Sequence, residues 1–217
     1  MSHDTDKILT RRASLAVVGG LVLLPLVETV RAAEQPSAQE IRKALQERTS
    51  EQEVRKAMLG VQPRSLAEIN DEQNFLEEMR RRQSRSFTPP ERARLDAMSL
   101  DKPGIDLEIN FDFDSAVISP KAKPLAVELG LALADPQLKG NVFQVRGHTD
   151  GRGSDAYNLD LSQRRAAAIK AFLVENYRIP AANLIAVGYG MEHLKNPGNP
   201  FADENRRVRV VNMEKPE

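Results

Sequence analysis

The chain has 217 residues, with 31 basic and 31 acidic side chains, no cysteine and no tryptophan. That length accommodates one domain of ordinary size plus extensions. The lack of cysteine excludes disulfides, thiolate metal sites, a cysteine nucleophile and a lipid-modified N-terminal cysteine, and it fits an oxidising compartment. Without residues 1–32, which carry four basic and three acidic side chains, the charge balance is 27 to 28. A near-neutral chain argues against nucleic acid as partner, which would require a basic face.

The N-terminus reads as an export signal. Met1 to Arg12 ends in the basic pair Arg11-Arg12, Ala13 to Val27 is an apolar run broken by Pro25, and Val30-Arg31-Ala32 offers small residues at signal-peptidase spacing. Thr10-Arg11-Arg12-Ala13-Ser14-Leu15 resembles a twin-arginine signal, with Ser14 where a Phe is usual. Cleavage is expected before Ala33. The alternative, an uncleaved inner-membrane anchor, is disfavoured because a span needs about 20 apolar residues.

Residues 33–103 are charged and mostly helix-forming. Ile41 and Leu45 are spaced i,i+4, as are Val54 and Met58. In the next helical stretch, Ser65 to Gln83, Ser65 is the cap and Leu66, Ile69, Phe75, Leu76 and Met79 fall near one face. Thr88-Pro89-Pro90 and Lys102-Pro103-Gly104 punctuate the region. It holds too little apolar surface for a core of its own. It is read as a helical or flexible arm, reaching an unidentified protein partner or spacing the domain from a membrane.

The folded unit follows over 104–217. Leu107, Ile109 and Phe111 alternate with polar residues as a half-buried strand. Ser119-Pro120 opens a helix running to Asp135-Pro136, Val142 to Gly147 is a second strand, and Leu161 to Tyr177 is a second long helix. Leu184 to Tyr189 is a third strand, and Val208, Val210 and Met213 lie in a fourth. The expected fold class is α/β, a mixed sheet of about four strands with two long helices packed on one face, preceded by the arm.

One side chain sits where its type is costly. Projected at about 100° per residue, Leu161, Ala168, Ile169 and Phe172 form an apolar stripe, and Arg165 falls at its centre. A guanidinium aimed at a core needs a partner. Asp150, ending the run Gly147-His148-Thr149-Asp150, is the candidate. An opposite-charge pair between a strand end and a helix start suggests a small site for a zwitterion. Taken alone, the same pair reads more readily as a structural salt bridge closing the fold than as a ligand site.

Gly147 to Ala166 reads GHTDGRGSDAYNLDLSQRRA. With Asn110-Phe111-Asp112-Phe113-Asp114-Ser115, Gly188-Tyr189-Gly190 and Asn205-Arg206-Arg207-Val208, it resembles the signature of the OmpA-like C-terminal domain, a peptidoglycan-binding family. The resemblance covers about residues 105 to 213 and not the arm, and the membrane barrel of the namesake has no counterpart. It implies that Asp150 and Arg165 hold the diaminopimelate side chain of the cell-wall stem peptide. It implies further binding positions at Asn158 and Arg206, with Asp114 lining the same pocket. The chemistry agrees: a carboxylate pairs with the ammonium of an amino-acid group, and a guanidinium fork grips its carboxylate through two hydrogen bonds. A helix start near Leu159 is expected to add free backbone N–H groups for that anion.

Other candidates are set aside. His148 is expected to be a structural hydrogen-bonder, Asp160 a cap or first-turn acid, and Arg207 an outward, solvated residue. Tyr157 either stacks on ligand or shields the pocket. Asp150, Asp155 and Asp160 do not match a calcium loop, so no metal or other cofactor is expected. Three histidines, His3, His148 and His193, form no nucleophile–base set, so no catalytic residues and no enzymatic activity are expected. The resemblance implies a periplasmic protein, associated with the outer membrane or cell envelope, that tethers itself or its partners to the wall. The rival readings are an inner-membrane-anchored motor or secretion component using the same domain, and a protein-interaction scaffold.

Overall fold

The structure is a computed structural model, and it describes residues 35–47, 65–82, 87–109, 111 and 114–214, with Val54 and Met58 singly. Residues 1–32, where an export signal is expected, and Asn110, Asp112 and Phe113 of the first-strand motif lie outside the described residues. Among the described residues no helix is long and apolar enough to cross a membrane.

Three helices come first, α1 (Ala38–Gln46), α2 (Leu66–Arg81) and α3 (Pro89–Ser99). Ser37 and Ser65 open α1 and α2 with reciprocal capping boxes, to Glu40 and Glu68. Then follow β1 (Gly104–Leu107), α4 (Lys123–Leu133), β2 (Phe143–Gly147), α5 (Asp155–Tyr177), β3 (Leu184–Gly188) and β4 (Val208–Asn212). The sheet order is β1-β4-β2-β3. β4 is antiparallel to both β1 and β2, whereas β2 and β3 are parallel and joined by α5 as a crossover. The expected mixed four-stranded sheet is present.

Its coverage goes beyond the expectation. Side chains alternate along each strand. Phe143, Val145, Leu184, Ala186, Val208 and Val210 pack with α4, α5 and also α1, through the fully buried Ile41 and Leu45. Ile185, Val187, Val211 and Tyr189 pack on the opposite face with Phe75 and Met79 of α2 and Leu95 and Met98 of α3. The segment read as an arm thus lays its apolar side chains on both faces of the sheet. α1 is also tied by polar contacts, Ala38 N donating to Glu128 at 2.7 Å, Arg42 pairing with Asp135 at 2.7 Å and Asn212 donating to the Leu45 carbonyl at 3.0 Å. On α2 only Phe75 and Met79 are buried, and Leu66 is solvent-exposed. Val54 and Met58 are exposed as well.

Several boundaries move. β1 ends at Leu107, where Ile109 N turns back to the Leu107 carbonyl at 2.8 Å, and Phe111 makes only an isolated bridge to Ile118. α4 begins at Lys123, although Ser119 does cap the turn before it, accepting from Ala122 N at its side chain. The largest shift is α5, which starts at Asp155 behind a Ser154 cap, not at Leu161. Its first turns bury Asn158 among the core positions, so no apolar stripe announces them. Asp160 is therefore within the helix rather than at its start, and pairs with Arg164 one turn on at 2.8 Å.

Two register partners set how closely α5 lies on the sheet. Gly147 and Gly188 face each other across β2 and β3. A Cβ at Gly147 would lie 2.2 Å from the Ser162 carbonyl oxygen, so only glycine admits the helix there. Ser162 Oγ accepts from Gly190 N at 2.8 Å, and the Gln163 amide bridges Gly188 N and Ala186 O. These contacts fix α5 over the strand ends, and with it the height of Arg165 one residue-pair further on.

Candidate functional site

The loop after β2 is held rigidly where it leaves the sheet. His148 N donates to Arg207 O at 3.0 Å, Thr149 N to Gly190 O at 2.8 Å and Gly151 N to Pro200 O at 2.8 Å. This places Asp150 opposite the first turns of α5. Asp114, Asp150, Asn158, Arg165 and Arg206 then line one cleft of about 260 Å³. Phe111, Thr149, Arg152, Tyr157 and Leu161 complete its wall. Two larger hollows, of about 440 and 450 Å³, lie beside Phe87 and beside Ile179. The arginines around the first of them, Arg92 and Arg164, are paired with Glu192 and Asp160. The cleft at Asp150 is the one that gathers the expected residues.

Arg165 points inward as expected and is only 5 % exposed. Its Nε donates to the Ser115 carbonyl at 3.0 Å, and its guanidinium carbon lies 5.0 Å from the centre of the Phe111 ring. Burial lowers its pKa from the ordinary arginine value, and the nearby Arg206 charge adds to this while Tyr157 and Asp150 oppose it. The expected direct pair with Asp150 is not formed. Asp150 accepts instead from Arg206 Nη1 at 2.9 Å and from Arg152 N at 3.2 Å. The reason is topological. Arg206 leaves the short 3₁₀ turn Asp203–Asn205 and enters β4 beside the β2 end, with Asp203 holding its other nitrogen at 2.6 Å. Burial works against the Arg206 charge, but the hydrogen bonds to Asp150 and Asp203 outweigh it and raise its pKa.

Asn158 forms the floor, 1 % exposed, with its NH₂ donating to Arg152 O at 2.9 Å. Because α5 starts at Asp155, Leu159 offers no helix-start amides; Asn158 N already donates to Ser154 O at 3.0 Å. Asp114 sits at the rim in a left-handed conformation, φ 48°, and accepts from the Tyr157 hydroxyl at 2.8 Å. That bond raises the Tyr157 pKa, so the phenol stays protonated at neutral pH. Thr149 is buried on the cleft wall, and its hydroxyl has no hydrogen-bond partner among the described residues. Phe111, expected only on a strand, also lies against Arg165; its signal is its place in the first-strand motif.

His148 is 2 % exposed, touches Glu192 O through Nδ1 at 3.2 Å and stacks on Tyr189. Burial, with the Arg207 and Arg146 charges, pushes its pKa well below the ordinary value, so it is neutral at pH 7. Arg207 is not solvated, contrary to expectation. It is buried, with Nε on Asp106 at 2.8 Å and a second nitrogen on His193 O at 3.0 Å.

Known proteins place this region in context. Among solved structures, the peptidoglycan-associated lipoprotein from Burkholderia pseudomallei is 31% identical over 48% of this chain and 86% of its own, with a TM-score of 0.41. Outer membrane porin F of Pseudomonas fluorescens is 41% identical over 114 residues, 49% of this chain and 32% of the porin. The peptidoglycan-associated lipoprotein of Pseudomonas putida is 35% identical over 102 residues, 46% of this chain and 59% of the lipoprotein. The chain therefore spans less than two thirds of either of these two relatives. The match to the OmpA family runs from residue 110 to 208, from the Phe111 wall through the Asp150 loop and α5 to the start of β4, and residues 110–208 of this chain are an OmpA family domain.

Proposed function

We propose that the protein binds peptidoglycan without covalent chemistry, through the cleft between the β2 loop and α5. The ligand group is the zwitterionic end of diaminopimelate in the stem peptide. The observation that carries this reading is the convergence of Asp114, Asp150, Asn158, Arg165 and Arg206 on one small cleft. Opposed charges fixed about a recess suit a ligand that carries both an ammonium and a carboxylate. The pairing of Asp150 with Arg206 refines the roles. Asp150 accepts the ammonium with its orientation set by Arg206, and Arg165 grips the carboxylate from the helix side. The unpartnered Thr149 hydroxyl supplies a further polar group on the wall. A relative named for peptidoglycan association supports the same substrate class.

Residues 1–32 direct export, so the domain works in the periplasm, and its wall contact tethers the chain to the cell envelope. Each site is small, and the wall is a dense polymer, so modest single-site affinity suffices for retention. The test is co-sedimentation with purified sacculi. The unmodified chain pellets with them, whereas Asp150→Ala and Arg165→Ala remain in the supernatant with a folded circular-dichroism spectrum. Soluble diaminopimelate peptide competes and a lysine-type stem peptide, lacking the second carboxylate, competes poorly. If both variants still pellet, the cleft is not the site.

A further inference from the structure

Arg152 stands at the rim of the cleft with its backbone clamped and its charge unused. Its amide donates to Asp150 at 3.2 Å and its carbonyl accepts from Asn158 at 2.9 Å. The side chain is exposed, and among the described residues no carboxylate lies within ion-pair distance of it. Arg206 and Arg164 nearby are both paired, with Asp150 and Asp160. What Arg152 does touch is an aromatic ring, its guanidinium carbon 5.9 Å from the centre of Phe201.

Phe201 is 52 % exposed but is carried by a fixed loop. Asn205, fully buried, accepts from Asn196 N at 2.8 Å and donates to the carbonyls of Asn199 and Pro200 at 3.0 Å each. Gly151 lets this loop meet the Asp150 loop: a Cβ there would lie 3.0 Å from the Pro200 side chain, and its amide donates to Pro200 O at 2.8 Å. A buried polar network therefore holds an exposed ring and an unpaired guanidinium side by side next to the ligand cleft. A fixed ring beside a guanidinium fork offers an apolar face and two parallel donors at the edge of the cleft.

Resting on the wall-binding reading above, we propose that Arg152 and Phe201 form a second subsite, one that takes a free carboxylate from the stem residue preceding the diamino acid. A cleft of about 260 Å³ holds one amino-acid end, so the rest of the stem must leave across the rim. The preceding residue is a D-glutamate joined through its γ-carboxyl, which leaves its α-carboxylate free. The Arg152 fork receives that carboxylate through two hydrogen bonds, and the glutamate methylenes lie on the Phe201 ring. The subsite then reads the amidation state of the wall, because D-isoglutamine at the same position has lost the charge.

The experiment titrates the full chain with two soluble diaminopimelate peptides that differ only in D-glutamate or D-isoglutamine. The unmodified chain binds the glutamate form about fivefold more tightly, the scale of one exposed charge-assisted contact. Arg152→Gln binds both peptides equally, at the level of the amidated form, and Phe201→Ala shows a reduced preference. Both positions are exposed, and circular dichroism checks that the variants are folded. Equal binding of the two peptides by the unmodified chain, or a preference that survives Arg152→Gln, overturns the subsite alone. Failure to bind either peptide overturns the wall-binding reading and the subsite with it.

Discussion

On the α1–α4–α5 face of the sheet, Phe143, Val145, Leu184, Ala186, Val208 and Val210 meet an apolar wall. On the α2–α3 face, Gln144, Arg146, His148 and Tyr189 are buried beside Phe75, Met79, Leu95 and Met98. The second face is thus a mixed core, held as much by geometry as by burial. Arg146 pairs with Asp96, donates to Ser99 at 3.0 Å and lies 4.2 Å over the Tyr189 ring. Tyr189 in turn accepts from Gln144 at 2.9 Å and donates to Arg92 O at 3.3 Å. Arg165 is as deeply buried as Arg146, yet it borders an open cleft, whereas Arg146 faces a helix. Burial of an arginine therefore does not mark a site; what lies across from the guanidinium does.

That contrast gives the largest expected effect. Arg146→Ala leaves the Asp96 carboxylate without its main partner and opens space under Tyr189, and should cost about 3–5 kcal/mol of stability, the usual loss when one member of a buried pair is removed. Urea unfolding measures it. Sacculus binding per folded molecule should be unchanged, because Arg146 does not line the cleft. The comparison breaks if Arg146→Ala loses wall binding while its unfolding midpoint holds.

The apolar face gives the next. Leu45 is fully buried although it lies far outside the OmpA family match. Leu45→Ala should cost about 3 kcal/mol by leaving a cavity against the domain core. An unfolding free energy within about 0.5 kcal/mol of the parent, the scale of a neutral surface change, would mean that α1 is not part of the cooperative unit.

How much of this was legible in the sequence follows the range of each signal. The strands were readable because alternation is local, and Arg165 was readable as inward because Leu161 and Ile169 flank it on one helix face. The start of α5 was not, because its first buried residue is an asparagine rather than an apolar side chain. Alternation along the strand turns Arg207 outward from the α4–α5 side, which reads as solvated. The Asp106 carboxylate on β1 and the His193 carbonyl are what pair it, and no pattern around residue 207 carries that information. The same holds for the Asp150–Arg206 pair, two residues 56 positions apart brought together by strand order. Apolar residues too few for a core of their own told only that the N-terminal helices need a partner surface, and not that the surface was the sheet itself.

The mixed face also carries a dependence on pH, through a buried imidazole. His148 is held neutral by burial and by Arg207 and Arg146, with His193 close by and the Glu192 carbonyl on Nδ1. Its pKa is lower folded than unfolded, so the unfolded chain binds more protons once pH falls below about 6.5. Its stabilising contribution is complete above that pH and is lost as pH falls toward the folded pKa. Stability should therefore fall as pH drops from 6.5 toward 5, with a slope that cannot exceed about 1.4 kcal/mol per pH unit. Urea midpoints across this window should shift for the parent and stay nearly flat for His148→Asn. Parallel shifts in the two proteins would assign the dependence to other groups.

The smallest effect separates the floor of the cleft from its rim. Asn158 at the floor is 1 % exposed and clamps the Arg152 carbonyl, whereas Tyr157, one residue earlier, is 39 % exposed and reaches Asp114 through water-accessible space. A floor residue acts on the ligand through geometry that solvent cannot replace; a rim hydroxyl exchanges one hydrogen bond for another to water. Tyr157→Phe should therefore change sacculus affinity by no more than about twofold, the range of an exposed polar contact. It should do so equally at pH 6 and pH 8, because the Asp114 carboxylate raises the phenol pKa and no proton is lost in that range. Asn158→Ala, by contrast, releases the Arg152 carbonyl and should weaken binding about tenfold or more, as loss of a buried hydrogen-bonding group does. A large loss for Tyr157→Phe with little for Asn158→Ala would move the centre of recognition from the Arg165 side of the cleft out to the Asp114 rim.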